Sequence, residues 1–409
     1  MKLRGTALLF TLVISMIICL IVGFVILIKE LNTKYVLRAE TEERVQYNCL
    51  SALHAAMNDS NFVQPNSSQL IDLYGQGRDS VRMIRRDWGM FEIFVSNAFS
   101  HGIRARKVAL TALVGDTERI ALYLTENGKP LSLCGQTELN GIVFAPQAGL
   151  RPAFIEGKSF VGTELVKGET RVSAASLPEF PMRYLKKIIR SSAPADFQTD
   201  FPDHLSASFS DSTVYFSPQR KDILITRSLA GNIIIQCTDM VRIAAEAQLE
   251  DIILVAKKVI VQSGFSGNLQ IFATDSIVVE DKVQLQYPSV LALLKSDREE
   301  ADPTNKEIKI KGKSEVSGLV LVDDRGMISL SAESLVKGLV YSKGSVECRG
   351  RVEGSIFTNS FMLRTASGIY ENHLLDTRIS PKALPAYFCY PVPQMNAGNS
   401  KKKLLKWLL

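Results

Sequence analysis

Side chains able to do chemistry are few and scattered along this chain. His54, His101, His204 and His373 lie far apart, and none falls in a His-Glu-x-x-His pattern or a comparable metal-ligand spacing. The six cysteines, Cys19, Cys49, Cys134, Cys237, Cys348 and Cys389, include no Cys-x-x-Cys pair. Cys19 sits within a long apolar run and is out of reach of the others, so the cysteines read as buried thiols. Gly75-Gln76-Gly77 lacks the third glycine of a phosphate-binding loop. Asp323-Asp324 resembles the acid clusters that work on glycosidic bonds, yet Asp323-Asp324-Arg325-Gly326 is equally a good turn sequence. The expectation is a protein without a catalytic site, cofactor or metal.

The elements that would have to position any site are more informative. One phrase is written three times in residues 308–356: Val316-Ser317-Gly318-Leu319-Val320, Val336-Lys337-Gly338-Leu339-Val340 and Val352-Glu353-Gly354-Ser355-Ile356. Alternating runs such as Ile308-Lys309-Ile310 and Ile328-Ser329-Leu330 precede the phrases, so each period holds two short strands and two turns. A coil of that length cannot close a core alone, whereas stacked coils bury a continuous apolar column. Glycine returns at one phase, where a positive φ or close packing of successive turns excludes a Cβ. The fold predicted is mainly β: a β-solenoid with structural glycines at Gly141, Gly318, Gly338 and Gly354. The early example is Leu139-Asn140-Gly141-Ile142-Val143-Phe144. Coils are placed at 130–375, with an insertion at about 174–221 that carries a short helix at 182–189. Continuous apolar runs such as Ile252-Ile253-Leu254-Val255 suit stacked parallel strands buried on one face.

Composition locates the charge. The chain has 48 Lys and Arg against 42 Asp and Glu, and its formal charge is +6. Lys2 and Arg4 at one end, and Lys401, Lys402, Lys403 and Lys406 at the other, account for the whole excess. A neutral body predicts no nucleic-acid partner and places basic contacts at the two ends.

Residues 7–28 carry no charge and are long enough to span a bilayer, which predicts a retained transmembrane helix. Helix formers without Pro or Gly continue through 29–58, with a loose apolar stripe at Leu31, Val45, Leu50, Leu53 and Met57. Arg4-Gly5-Thr6-Ala7-Leu8-Leu9 resembles the class III leader of type IV pilin-like proteins. There a short basic leader (here 1–5) is cut just before a long apolar helix (here 6–28). The resemblance implies cleavage between Gly5 and Thr6 and a body outside the cytoplasm. The family's usual Glu at the fifth mature position is replaced by Phe10, a departure that resembles minor pilins and pseudopilins.

Residues 59–129 read as a small strand-rich region ending at the turn Asn127-Gly128. Residues 376–409 read as a Pro-containing tail whose basic, Leu- and Trp-bearing end suits an interfacial membrane contact or a cap docked on the body. Val352-Glu353-Gly354-Ser355-Ile356 is also similar to the repeat phrase of bactofilins, whose β-solenoids polymerise end to end. The function expected is a non-enzymatic, single-pass subunit of the inner membrane, pilin-like, meeting other envelope-machine subunits and capable of self-association. The alternatives are an envelope-tethered carbohydrate-binding or carbohydrate-active β-helix protein, and a bactofilin-like scaffold.

Overall fold

Gly318, Gly338 and Gly354 lie side by side on adjacent parallel strands, with Ser289 next in line. Their φ angles of 144°, 133° and 149° belong to glycine. A Cβ on Gly338 would stand 2.0 Å from the Gly318 carbonyl oxygen, and one on Gly354 1.8 Å from that of Gly338. The phrase therefore marks a corner at which successive turns touch backbone to backbone. The protein is mainly β, a long N-terminal helix followed by a β-solenoid of about ten turns. The computed structural model describes residues 4–59, 61–75, 77, 79–114, 120–180, 200–218, 220–295, 306–385, 388–390, 393 and 401–408. The first three residues of the leader and the helix expected at 182–189 lie outside these.

Two compact units divide the chain: Met1–Ile84 with Val95–Lys107, and Arg85–Phe94 with Val108–Leu409. The first is built on helix α1, Arg4–Asn58. From Leu8 to Leu37 its large apolar side chains are exposed, whereas Val45, Cys49, Ala52, Leu53 and Ala56 are buried. That stripe repeats at intervals of three and four residues and so occupies one side of the helix. Strands β1 (Ser67–Ile71), β2 (Ser80–Trp88), β3 (Phe91–Ser100) and β4 (Ile103–Val114) follow in sheet order. Cys49 donates its thiol to the Ser96 carbonyl at 3.3 Å, and Ser96 returns its hydroxyl to the Cys49 carbonyl at 2.9 Å, locking helix to strand.

The second unit holds the solenoid. Each turn has three sides, not the two strands expected: Ser228–Gly231, Ile233–Gln236 and Met240–Ile243 make one turn, and each pairs in parallel with a part of Gln248–Val261 above it. Two of the three strands join smoothly through a corner, so the sequence shows them as one run. On the second side an inward column climbs through Ile235, Leu254, Ile271, Leu291, Val320, Val340, Ile356, Leu122 and Val143, all at most 1% exposed. Apolar side chains stacked on their equivalents are the main source of cohesion in such a coil.

The column's order departs from chain order. Ile120–Leu124, which the sequence places in the small strand-rich region, pairs with Ile356–Thr358 on one side and with Ile142–Phe144 on the other. Arg378–Ile379, assigned to the tail, lies between Arg351–Val352 and Glu138–Leu139. One turn is thus assembled from both ends of the inserted chain, the part of the sequence between β4 and residues 401–408. The turns at 142–172 continue beyond it, while His204–Ala207 and Val214–Phe216 begin the stack at the opposite end. The described strands on either side of the expected insertion, Thr170–Val172 and His204–Ala207, therefore pair at opposite ends of the stack. Asn127-Gly128 likewise forms a solenoid corner, since the strands flanking it, Ile120–Leu124 and Leu131–Cys134, pair with different neighbours.

The C-terminal segment Lys401–Leu408 is a strand, here called the closing strand. It pairs antiparallel with β4, Lys401 opposite Val114 and Leu408 opposite Val108. The entire solenoid is the loop between these two neighbours.

Candidate functional site

The residues singled out for chemistry do not converge. His54, His101 and His204 are exposed on a helix, a turn and an outer strand, and the His373 ring meets the Glu371 carbonyl, at 2.6 Å, and the Tyr370 ring. No group of three potential metal ligands occurs among the described residues. All six cysteines are free thiols, Cys19 exposed and the others buried. Burial pushes the Cys237 and Cys348 thiols up to about 12, which keeps them protonated and unreactive.

Asp323 and Asp324 are each committed elsewhere. Asp323 takes the Lys343 ammonium at 2.6 Å, and Asp324 takes that of Lys306, itself buried, at 2.7 Å. Burial raises the Asp324 carboxyl, but the Lys306 hydrogen bond and the Arg325 backbone N–H outweigh it and hold the group below its ordinary value. A general acid needs the opposite shift.

Gly5 and Thr6 lie in the first turns of α1, and the mean hydropathy of the helix's most apolar window is 3.1, with none of it buried. Among the described residues, one helix is therefore long and apolar enough to cross a membrane. Residues 7–28 span about 33 Å at 1.5 Å per residue, matching a hydrocarbon core of about 30 Å. Gly141, with φ 142°, holds the corresponding corner in the N-terminal turns, where a Cβ on Gly168 would stand 2.2 Å from its carbonyl oxygen.

What sequence reading missed is the outside of the solenoid's second side. The residues pointing away from the core there also form a column: Val255, Phe272, Ala292, Leu321, Tyr341, Phe357 and Tyr123, each at most 8% exposed. Tyr123 stacks between Phe357 and Phe144, at 5.6 and 5.1 Å between ring centroids. Among the described residues, other segments pack on this column or on residues beside it. Residues 174–180 supply Pro178, whose carbonyl accepts the Tyr341 hydroxyl at 3.1 Å, and Phe180 against the Tyr341 ring. Phe388, Cys389 and Tyr390 lie along Tyr287 and Ser355, with Tyr287 donating to the Cys389 carbonyl at 2.7 Å. The β2–β3 turn supplies Trp88 and Met90, whose backbone groups clamp the Gln270 amide at 3.0 and 2.8 Å. Gly89 fits there because it has φ 62° and a Cβ would collide with that amide. The signal was present in the continuous apolar runs, which belong to strands buried on both faces.

The second feature missed is the slot for the closing strand. Lys402, in a segment read as either an interfacial membrane contact or a cap docked on the body, is only 6% exposed in its side chain. Its ammonium lies 2.9 Å from Glu92 and 5.0 Å from the centre of the Phe94 ring. Arg85 reaches the other Glu92 oxygen at 2.6 Å. Burial raises the Glu92 carboxyl, and Arg85 and Lys402 together more than reverse it, leaving the group below its ordinary value. On Lys402 burial prevails over Glu92 and lowers the ammonium. Glu92 is charged at neutral pH, since an ordinary glutamate already is and its shift is downward. Lys406 bridges Glu250 and Asp251, both at 2.7 Å. Lys, Leu and Trp in alternation make a helix with one basic side or a strand with one, and the register with β4 decides for the strand.

No protein-family model matches the chain, and neither does any curated protein. Among solved structures, the crystal structure of competence-associated pilin ComZ from Thermus thermophilus aligns with 83% of this chain and 86% of that one, at 13% identity and a TM-score of 0.25. A superposition that loose carries no argument about role.

Proposed function

We propose that the chain is a membrane-anchored, pilin-like structural subunit of a pilus or secretion-type envelope machine. It crosses the inner membrane once, holds its body outside the cytoplasm and presents the solenoid to partner subunits. The observation that carries this reading is the division of labour along α1. A spanning apolar half passes without a break into a half whose stripe is buried against an antiparallel sheet. A plain tether needs no such continuity, whereas a subunit that packs through its helix needs a rigid link from bilayer to body.

The carbohydrate-active alternative requires exposed aromatic platforms and convergent acids. Here the aromatic column Tyr341, Phe357 and Tyr123 is covered, and Asp323 and Asp324 are neutralised by lysines. Protease added to intact spheroplasts tests the topology: it should remove the body. A body protected until the membrane is lysed would contradict the reading and favour a bactofilin-like scaffold on the cytoplasmic side.

A further inference from the structure

We infer that the exposed sheet face of the first unit carries a binding cleft for a phosphate monoester. A cleft of about 450 Å³ lies there, lined by Arg82 of β2, Asn97 and Phe99 of β3, and Arg104 and Arg106 of β4. All five residues belong to that unit. Side chains alternate across a strand, so Asn97 and Phe99 share a face, as do Arg104 and Arg106. Ser96, next to Asn97, turns its hydroxyl to the Cys49 carbonyl of α1, so Asn97 and Phe99 point away from the helix. Strand β3 lies between β2 and β4. At about 4.8 Å per strand, the two arginine-bearing strands run about 10 Å apart, close enough for their long side chains to meet one ligand over β3. Arg104, near the start of its strand, also borders a second cleft with Arg38, Glu42 and Gln46 of α1.

The chemistry of the lining selects the ligand. Among the described residues no carboxylate lines the cleft, and none pairs with Arg82, Arg104 or Arg106. Glu42, in the second cleft, is already held by Arg38 at 3.0 Å. A cleft walled by one sign of charge focuses its field and concentrates the opposite ion. Asn97 accepts from the Arg106 Nε at 2.6 Å, which fixes that guanidinium and leaves its terminal N–H groups for a ligand. A carboxylate offers two oxygens, a match for one guanidinium fork. Three forks call for more, and a phosphate monoester presents three terminal oxygens and a charge of about −1.5 to −2. The volume is that of a small-molecule site, roughly 300–1,000 Å³, and not of a bare ion. Phe99, 38% exposed, gives the organic part an apolar wall. Arg104 ties the site to the level of Arg38, which follows Ile28 by about 15 Å of helix, whereas headgroups extend only about 5–8 Å beyond the hydrocarbon. The ester therefore arrives from the aqueous side and not from a lipid of the same bilayer. The inference rests on the proposed membrane reading for that height alone.

The test is calorimetric titration of the full-length protein in detergent with glycerol phosphate. Binding should saturate, and Arg82→Gln combined with Arg104→Gln should weaken it about tenfold or more through the loss of charge-assisted contacts. Both side chains are exposed, so the double variant should unfold with the parent, which separates lost binding from lost fold. Lys107→Gln removes an exposed cation that does not line the cleft and should leave the affinity nearly unchanged. An equal loss there would reduce the site to diffuse charge and overturn it. Absence of saturable binding, or binding indifferent to the arginine substitutions, overturns it as well. Glycerate, the matching carboxylate, should bind several-fold more weakly, and equal affinity would overturn the phosphate assignment. The source is read in bilayers at physiological salt, where surface charge is screened within about 8 Å. Affinity for glycerol phosphate should be the same in phosphatidylcholine and phosphatidylglycerol, and a several-fold loss in phosphatidylglycerol would show lipid in the cleft and overturn the aqueous source. Detergent solution has no sides, so a body that protease finds on the cytoplasmic side refutes the membrane reading and leaves the cleft standing.

Discussion

At Gly338 the backbone φ of 133° and the Gly318 carbonyl 2.0 Å from a would-be Cβ leave no room for a side chain. Gly338→Val should cost about 1–3 kcal/mol from the conformation alone, with the collision added. Gly128→Ala, where nothing lies within 4 Å although φ is 72°, should cost only the conformational part. Chemical denaturation of the two variants measures both, and a Gly338→Val protein that unfolds with the parent would remove the close-packed corner from the account. A second expectation at this scale concerns pH. The Glu92 carboxyl is lowered in the folded protein, so its contribution is present above the ordinary glutamate range and is lost as pH falls through the folded value. The closing strand should therefore loosen on acidification below about pH 4.5, starting from the usual glutamate value. Glu92→Gln should abolish that dependence, as read by amide exchange at residues 108–114.

In the closing strand, the Lys402 side chain is more buried than that of Lys406. Lys402→Ala should destabilise the sheet edge by about 1–3 kcal/mol, because Glu92 keeps Arg85 but loses its second positive neighbour. Faster exchange of the β4 amides, with solenoid amides unchanged, is the expected signature. For α1, replacing residues 6–28 by an unrelated leucine-rich span with the leader kept should weaken cross-linking to neighbouring membrane proteins. Helices that pack in lipid use specific faces, and Ser15 and Gly23 allow close approach. Unchanged cross-links would reduce the segment to a tether. The repeat was legible in sequence only where the corner is glycine. At the turns below, Gly231, Asp251 at φ 57° and Ser289 serve the same corner, so one structural position is filled by different residues and no phrase repeats. The partners of the closing strand were illegible because pairing across hundreds of residues leaves no local pattern.

In the molecule as a whole, the inserted chain enters and leaves the stack at one shared turn. Ile120–Leu124 and Arg378–Ile379 occupy two of its sides. Sequence order suggested a solenoid running from one end to the other, and periodicity alone could not show that the first turns stack on the last. The long apolar helix was the more legible part, because an uncharged run of spanning length obeys a one-dimensional rule. The central claim, that this run is a pilin-like packing helix and not a plain anchor, is tested most directly by the mature N-terminus of the protein isolated from its native membrane. Mass spectrometry should find a chain beginning at Thr6, with the basic leader through Gly5 removed. A membrane-embedded protein that still begins at Met1 would contradict the account.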